Sequence, residues 1–281
     1  MTTTLRPTGP LQQSSSGARV RAYEVCVNSR HVGALELGTD TPFGPVLGEI
    51  RGLYIDEPDR GRGRGAVAAL AAEEVLRSWG CRRVRTAVPA DSAAGRRLAA
   101  ALGYREVSRN MVKDLDGAPC PLPDGITGRP MTAAEYGPWL VRAIENYAKE
   151  WTDRGLPAEA AQAKSRADHD SLLPDGLDTP GVWFRVLEQA DGATLGTLWV
   201  SRHDRVLPDR AGAYVFDVEV AEEHRGRGHG RSLMLLAEEV ALADGAPLIG
   251  LNVFAGNTPA LRLYESLGYR PSSYNYGKDL V

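Results

Sequence analysis

Long apolar runs are missing from this 281-residue chain. No stretch approaches the roughly 20 residues that a bilayer-crossing helix needs, so a helical membrane protein is excluded. Cysteine is scarce. Its three copies, Cys26, Cys81 and Cys120, are odd in number and fall in no ligand spacing. They provide neither a disulfide framework nor a metal site, and they fit reduced thiols in a cytoplasm. An excess of one charge sign is also lacking. With 33 Lys and Arg against 36 Asp and Glu, the net charge of -3 gives no bulk attraction for nucleic acid or for an anionic membrane. Met1 to Gly17 is polar and has no apolar core of the kind a signal peptide carries. His203, His224 and His229 show no paired ligand spacing and no nucleophile motif beside them, so no metal is expected. What remains is a composition ordinary for a soluble globular protein, at a length that allows one large domain or two of usual size.

The most informative stretch that is present runs from Tyr214 to Val240. Tyr214 to Val220 is apolar and branched, as a buried strand is. Leu233, Leu236, Ala237 and Val240 repeat at helical spacing. Between them, Arg225-Gly226-Arg227-Gly228-His229-Gly230-Arg231 leaves backbone N–H groups uncovered at the start of a helix, with arginines around them. Such a turn suits a pyrophosphate. The pattern occurs twice. Arg60-Gly61-Arg62-Gly63-Arg64-Gly65 stands 165 positions earlier, and three further matches keep that register without a gap: Glu73-Glu74-Val75 with Glu238-Glu239-Val240, Leu102-Gly103-Tyr104-Arg105 with Leu267-Gly268-Tyr269-Arg270, and Lys113-Asp114-Leu115 with Lys278-Asp279-Leu280. The chain is therefore a tandem repeat. Residues 116–125, with three prolines and two glycines, read as a linker between domains at 1–115 and 126–281.

The halves are unequal. The second has a short strand at Ile126–Pro130, helices around Ala133–Trp151 and Pro157–Leu172, then strands near Val182–Leu187 and Thr194–Ser201. In the first, Leu5-Arg6-Pro7 echoes the opening strand, and strands follow at Val20–Val27, Val32–Leu37 and Gly48–Ile55. Only about a dozen polar residues stand where the two helices should be. Gly63 to Ala68 also scores as a Rossmann Gly-x-Gly-x-x-Ala fingerprint. That motif should follow the first strand of its domain and precede an acid about 20 residues on, and neither condition holds here.

After the loop come a strand at Leu248–Phe254, then Asn257, then Leu263-Tyr264-Glu265-Ser266-Leu267-Gly268-Tyr269. The loop and this later stretch together resemble the two signatures of the GCN5-related N-acetyltransferase (GNAT) superfamily. The resemblance implies an α/β fold, a mixed central sheet flanked by helices, in two tandem GNAT-like acyl-CoA N-acyltransferase domains. It implies acetyl-CoA as co-substrate, with Val218 and Val220 gripping the pantetheine arm. The loop Arg225, Gly226, Arg227, Gly228, His229, Gly230 and Arg231 would take the pyrophosphate, and Asn257 would lend support or cap its helix. Arg60, Gly61, Arg62, Gly63, Arg64 and Gly65 would form a second such loop.

In the family the matching tyrosine protonates the leaving thiolate, which makes Tyr264 the expected acid. Its register partner is Ala99, which cannot donate a proton. For the base, Asp217 and Glu219 share one face of the central strand. Glu219, nearer the loop, is the first choice. Asn252 stands where some members carry a glutamate and cannot serve. The first two helices commonly wall the acceptor pocket, so Glu145, Tyr147, Glu150 and Trp151 are candidates to shape it. The expected function is transfer of an acetyl group to a primary amine of a small molecule, by a monomer or homodimer without a nucleic-acid or membrane partner. Two alternatives are a mycothiol synthase-like acetyltransferase and a non-catalytic acyl-CoA sensor.

Overall fold

The computed structural model describes residues 2–15, 17–40, 47–153, 156–202 and 212–280. His203 lies outside them. The first repeat runs β1 (Thr3–Pro7), β2 (Gln12–Gln13), β3 (Arg19–Val27), β4 (Arg30–Asp40), β5 (Leu47–Ile55), α1 (Arg64–Ser78), β6 (Arg83–Pro89), α2 (Ala93–Ala101) and β7 (Arg105–Asp114). The second runs β8 (Ile126–Pro130), α3 (Ala133–Asp153), α4 (Ala158–Leu172), β9 (Val182–Gln189), β10 (Thr194–Arg202), β11 (Ala213–Val220), α5 (His229–Ala243), β12 (Leu248–Phe254), α6 (Thr258–Ser266) and β13 (Arg270–Asp279). The α3–α4 pair has no counterpart in the first repeat, where the described residues between β1 and β3 hold only the two-residue β2.

Two compact units result. One comprises Met1–Arg109, Phe254–Gly256 and Pro271–Val281; the other comprises Asn110–Val253 and Asn257–Arg270. The expected boundaries keep each final strand with its own repeat, whereas the compact units exchange them. In the first unit the strand order is β1-β3-β4-β5-β6-β13. β13 pairs antiparallel with β6 from Ser273↔Pro89 to Asp279↔Arg83. In the second, the latter part of β7 lies beside β12 in the order β7-β12-β11-β10-β9-β8.

The cores follow the same exchange. Leu280 is buried with Leu37, Ile50 and Leu76 in the first unit. Met111 is fully buried with Leu198, Leu233 and Ile249 in the second. Helix α5 earns its place through the expected stripe: Leu233, Leu236, Ala237 and Val240 are all buried. A smaller aromatic core of Trp139, Phe184 and Trp199, with Met131, Leu173 and Val186, seats α3 and α4 on β9 and β10.

Local chemistry fixes the start of α3. Thr132 N–H donates to Glu135 at 2.8 Å and the Thr132 hydroxyl to the same carboxylate at 2.7 Å, a capping arrangement that satisfies an otherwise orphaned donor. Arg129 grips Glu135 with two nitrogens, at 2.7 and 2.9 Å. These bonds hold the Glu135 carboxyl down at about 2.

Candidate active site

In the second unit, β11 pairs in parallel with β12 only through Ala213↔Ile249, Tyr214↔Gly250 and Val215↔Leu251. Beyond Val215 the ladder stops. Val218 and Val220 therefore lie past the last residue that β11 pairs with β12. On its other side β11 pairs with β10, and the register shifts so that Trp199 faces Asp217 while Val200 faces Val215. Phe216 is the extra residue of that bulge, and bulges commonly re-aim the side chains beside them.

At the end of β11 the chain makes a 3-10 turn over Glu222–His224 and enters α5 through the glycine loop. Gly226 (φ 76°) and Gly228 (φ 89°) are left-handed, with open space where a Cβ would stand. Only glycine adopts that backbone without strain. The amides of Arg231 and Ser232 donate to the Gly228 carbonyl at 2.9 and 3.3 Å, and those from Gly226 to Gly230 precede this first intrahelical bond. Arg225 folds back so that its Nε donates to the Val220 carbonyl at 3.3 Å. Arg227 is exposed. Arg231 donates to the Ser266 hydroxyl on α6, and Gly230 packs against Leu263 of the same helix. His229 is half-buried; burial, with His224 and Arg227 nearby, lowers its pKa. Asn257 accepts from Ala260 N–H at 3.2 Å and so caps α6. Amides ahead of a helix N-terminus, with open space beside Gly226 and Gly228, are the kind of turn that suits a pyrophosphate.

Tyr264 projects from α6 and is buried, its ring 5.9 Å from that of Tyr269. Burial pushes its phenol up to about 12, and the nearby Asp217 charge adds to the rise. Asp217 is half-buried, and its Oδ2 accepts from the Trp139 indole N–H at 3.2 Å. Desolvation raises its carboxyl to about 6, opposed by that hydrogen bond and reinforced by Glu219. Asp217 is thus the carboxylate whose affinity for a proton is raised towards neutrality, a property the sequence ranking of Glu219 first does not capture. Glu219 lies beside it, also half-buried. Asn252 donates to Asn110 at 2.9 Å. Of the wall residues, Tyr147 and Trp151 are half-buried with rings 6.0 Å apart; Glu145 is exposed and Glu150 half-buried.

The first unit repeats the backbone without the chemistry. β5 pairs with β6 only from Leu47↔Arg83 to Ile50↔Thr86 and then diverges. Gly61 and Gly63 are left-handed at φ 71° and 74°, and Arg60 Nε donates to the Ile55 carbonyl at 2.8 Å. Arg64, however, is buried and ion-paired with Asp59, which also takes Arg30 at 2.7 Å. The matching positions in the second unit are His229 and His224. Arg62 is exposed, and Gly65 packs near Leu98. In place of Asp217, Glu219 and Tyr264 stand Gly52, Tyr54 and Ala99. Gly48 and Ile50 turn towards α1, so the alternate residues of β5 occupy the opposite face. That face carries an ion network, Arg51 to Glu36 at 3.1 Å and Glu49 at 2.6 Å, with Arg85 to Glu49 at 3.4 Å. A charged, solvated surface stands where the second unit has an aromatic wall.

Strands β11 and β12 that part beside a glycine loop, with a buried phenol near a carboxylate of raised pKa, match the arrangement that the resemblance to an acyl-CoA N-acyltransferase implies. The sequence profile of the Acetyltransferase (GNAT) family matches residues 7–104 and 143–269. The chain belongs to that family. It is similar to N-acetyltransferase YycN of Bacillus subtilis, 31% identical over 155 residues that make up 54% of this chain and 96% of the relative. It is also 28% identical over 251 residues to the mycothiol acetyltransferase of Beutenbergia cavernae, covering 83% of this chain and 77% of the relative. Among solved structures, a tandem GNAT protein from the clavulanic acid biosynthesis pathway superposes with a TM-score of 0.55 at 21% identity, over 94% of this chain and 84% of that one. A GCN5-related N-acetyltransferase of Sphaerobacter thermophilus gives 0.58 at 19%, over 92% and 80%. The tandem arrangement expected from the repeat and the mixed-sheet α/β fold expected from the resemblance are both observed. No helix of the described residues is long and apolar enough to cross a membrane.

Proposed function

We propose that the second unit transfers an acetyl group from acetyl-CoA to a primary amine of a small molecule, with Tyr264 as acid and Asp217 as base. Acetyl-CoA supplies an activated acyl group in its thioester. The loop from Arg225 to Arg231 and the stretch of β11 at Val218 and Val220 bind and orient it, while Asn257 holds the α6 turn beside it. Asp217 takes the proton that the attacking amine must lose, and Glu219 beside it draws and orients the protonated amine before that step. Tyr264 returns a proton to the departing sulfur; a phenol at about 12 is fully protonated at neutral pH and so available as a donor.

One observation carries this reading: Tyr264 is buried within electrostatic reach of Asp217 while β11 and β12 part beside them. The test is thiol release from acetyl-CoA across a panel of amines. Release that requires an amine supports it; binding of acetyl-CoA with no release by any amine leaves a sensor instead.

A second reading concerns the acceptor. Relatives of similar tandem length are named mycothiol acetyltransferases, which favours an amine on a cysteinyl-sugar. Including such an amine in the panel decides between it and simpler amines. For the first unit, we propose a second acetyl-CoA site that is bound but unproductive. Backbone amides with Arg60, Gly61, Arg62, Gly63 and Gly65 carry it, and Arg64 contributes through its backbone because Asp59 engages its side chain.

A further inference from the structure

Trp139 is almost wholly enclosed, at 1% exposure, and an indole has a single polar atom. That atom is directed at Asp217, with Nε1 3.2 Å from Oδ2. We propose that Trp139 is a positioning residue for acyl transfer: its N–H fixes one oxygen of Asp217 so that the other oxygen alone is presented to the amine. The inference rests on the reading of Asp217 as the base.

The indole has little freedom to turn away. Its ring meets Phe184 edge-on at 4.7 Å, Trp199 at 5.7 Å, and stacks with Tyr136 at 5.7 Å. Helix α3 below it is pinned at its start by the Thr132–Glu135 cap and by Arg129. On β11, Asp217 follows the bulged Phe216, whose ring stacks on Trp199 at 4.6 Å. Donor and acceptor are therefore seated against the same Trp199 ring, Trp139 directly and Asp217 through its neighbour Phe216, which favours a fixed mutual orientation.

The two repeats supply an internal comparison. In the first unit Gly52 stands in place of Asp217, and the helix that would carry a Trp139 counterpart is absent. The carboxylate and its indole are lost together.

The chemistry explains why an indole suits the task. An arginine in contact would hold Asp217 ionised and weaken it as a base. An indole N–H cannot titrate and carries no net charge, so it orients the carboxylate with a smaller loss of basicity. The other groups acting on Asp217 are Arg142 on α3, Glu219 on its own strand, the Val218 N–H, and Tyr264 on α6. From β10 the facing residue is Trp199, and the titratable neighbour of Trp199 on α4 is His169, whose Nδ1 is engaged by the Ser165 carbonyl at 2.7 Å.

The test is the pH dependence of kcat/KM for Trp139→Phe in the full chain. Loss of a donor to the charged form should move the acidic limb up by about one pH unit. The KM for acetyl-CoA should stay unchanged. Leu173→Ala, which opens a cavity in the same core without removing a ring from beside Trp139, should leave the limb where it is. An even loss of activity at every pH in Trp139→Phe, or an equal limb shift in Leu173→Ala, would overturn the inference and leave Trp139 as packing. Should Trp139→Phe fail to fold, benzothienylalanine at position 139 keeps the ring and removes only the N–H, and the same limb shift is expected. Asp217→Asn separates the two levels. If it keeps both turnover and the acidic limb, the base reading has failed and the inference with it. If it abolishes turnover while the limb of Trp139→Phe stays put, the positioning role alone has failed.

Discussion

Lys278, from the last strand of the second repeat, donates to both oxygens of Glu73 in the first, at 2.8 and 3.0 Å. Its counterpart in register, Lys113, makes the reciprocal contact with Glu238 at 2.7 Å. Each lysine also lies over a tyrosine ring, Lys278 over Tyr104 at 5.4 Å and Lys113 over Tyr269 at 5.8 Å. The exchange of strands is thus fixed by a matched pair of ion pairs, each on a buried carboxylate, as well as by backbone pairing.

Removing one member should be costly. Glu73 is 1% exposed, so Lys278→Met leaves a buried carboxylate with only the longer Arg77 contact at 3.8 Å, and about 2 kcal/mol of stability should be lost. Glu73→Gln in the same chain should restore a substantial part. Urea denaturation of the single and double variants gives the coupling energy, and simple additivity would mean that the pair contributes nothing specific.

Tyr264→Phe should lower turnover by about 10²-fold at neutral pH with little effect on acetyl-CoA affinity. Stopped-flow measurement of thiol release isolates the chemical step. Unchanged turnover where chemistry limits the rate would remove the phenol from the reaction.

Asp217 makes opposite predictions for activity and stability. Activity needs its carboxylate, so the rate should fall as pH drops through about 6. Stability runs the other way. The folded state holds the proton more tightly than the unfolded chain, whose carboxyl titrates near 3.8. Between pH 4 and 6 the unfolded state is ionised while the folded state is not yet so, and stability falls as pH rises through that window. Above it the deficit is about 2–3 kcal/mol, an upper figure for a partly exposed group. Asp217→Asn should therefore be inactive yet more stable than the parent at pH 8, with the advantage vanishing towards pH 4. Denaturation midpoints at four pH values test this.

Titration calorimetry with acetyl-CoA should give a stoichiometry near two, reduced to one by Gly63→Glu and separately by Gly228→Glu. Gly63 and Gly228 sit left-handed with open space before them, so glutamate there adds strain and a negative charge against the pyrophosphate. A stoichiometry of one that Gly228→Glu abolishes would mean that the first loop stays empty.

The architecture was legible because the repeat keeps one register over so many points and because α3 and α4 have clear helical spacing. The glycine loops were legible for a local reason: their conformations depend on residues within a few positions. The exchange of β7 and β13 was not. Lys113-Asp114-Leu115 and Lys278-Asp279-Leu280 are identical, so local sequence suits either strand to either sheet. The Asp217–Trp139 contact spans 78 residues, and the desolvation that raises the Asp217 carboxyl is a property of packing. Proximity to the loop favoured Glu219 in the sequence; burial singles out its neighbour. Nor could spacing reveal that Asp59 takes the Arg64 side chain out of the first loop, since that contact depends on how the turn folds.

The position of β13 sets the order of events at synthesis. The first unit needs residues 273–279 to cover the edge of β6, and a ribosome adds these only after the rest of the second repeat. Until they emerge, β6 is an unprotected strand edge of the kind that recruits stray partners. The nascent first unit must then wait, incomplete, through translation of nearly the whole second repeat. The two units consequently complete together, once β13 has been made, rather than one after the other.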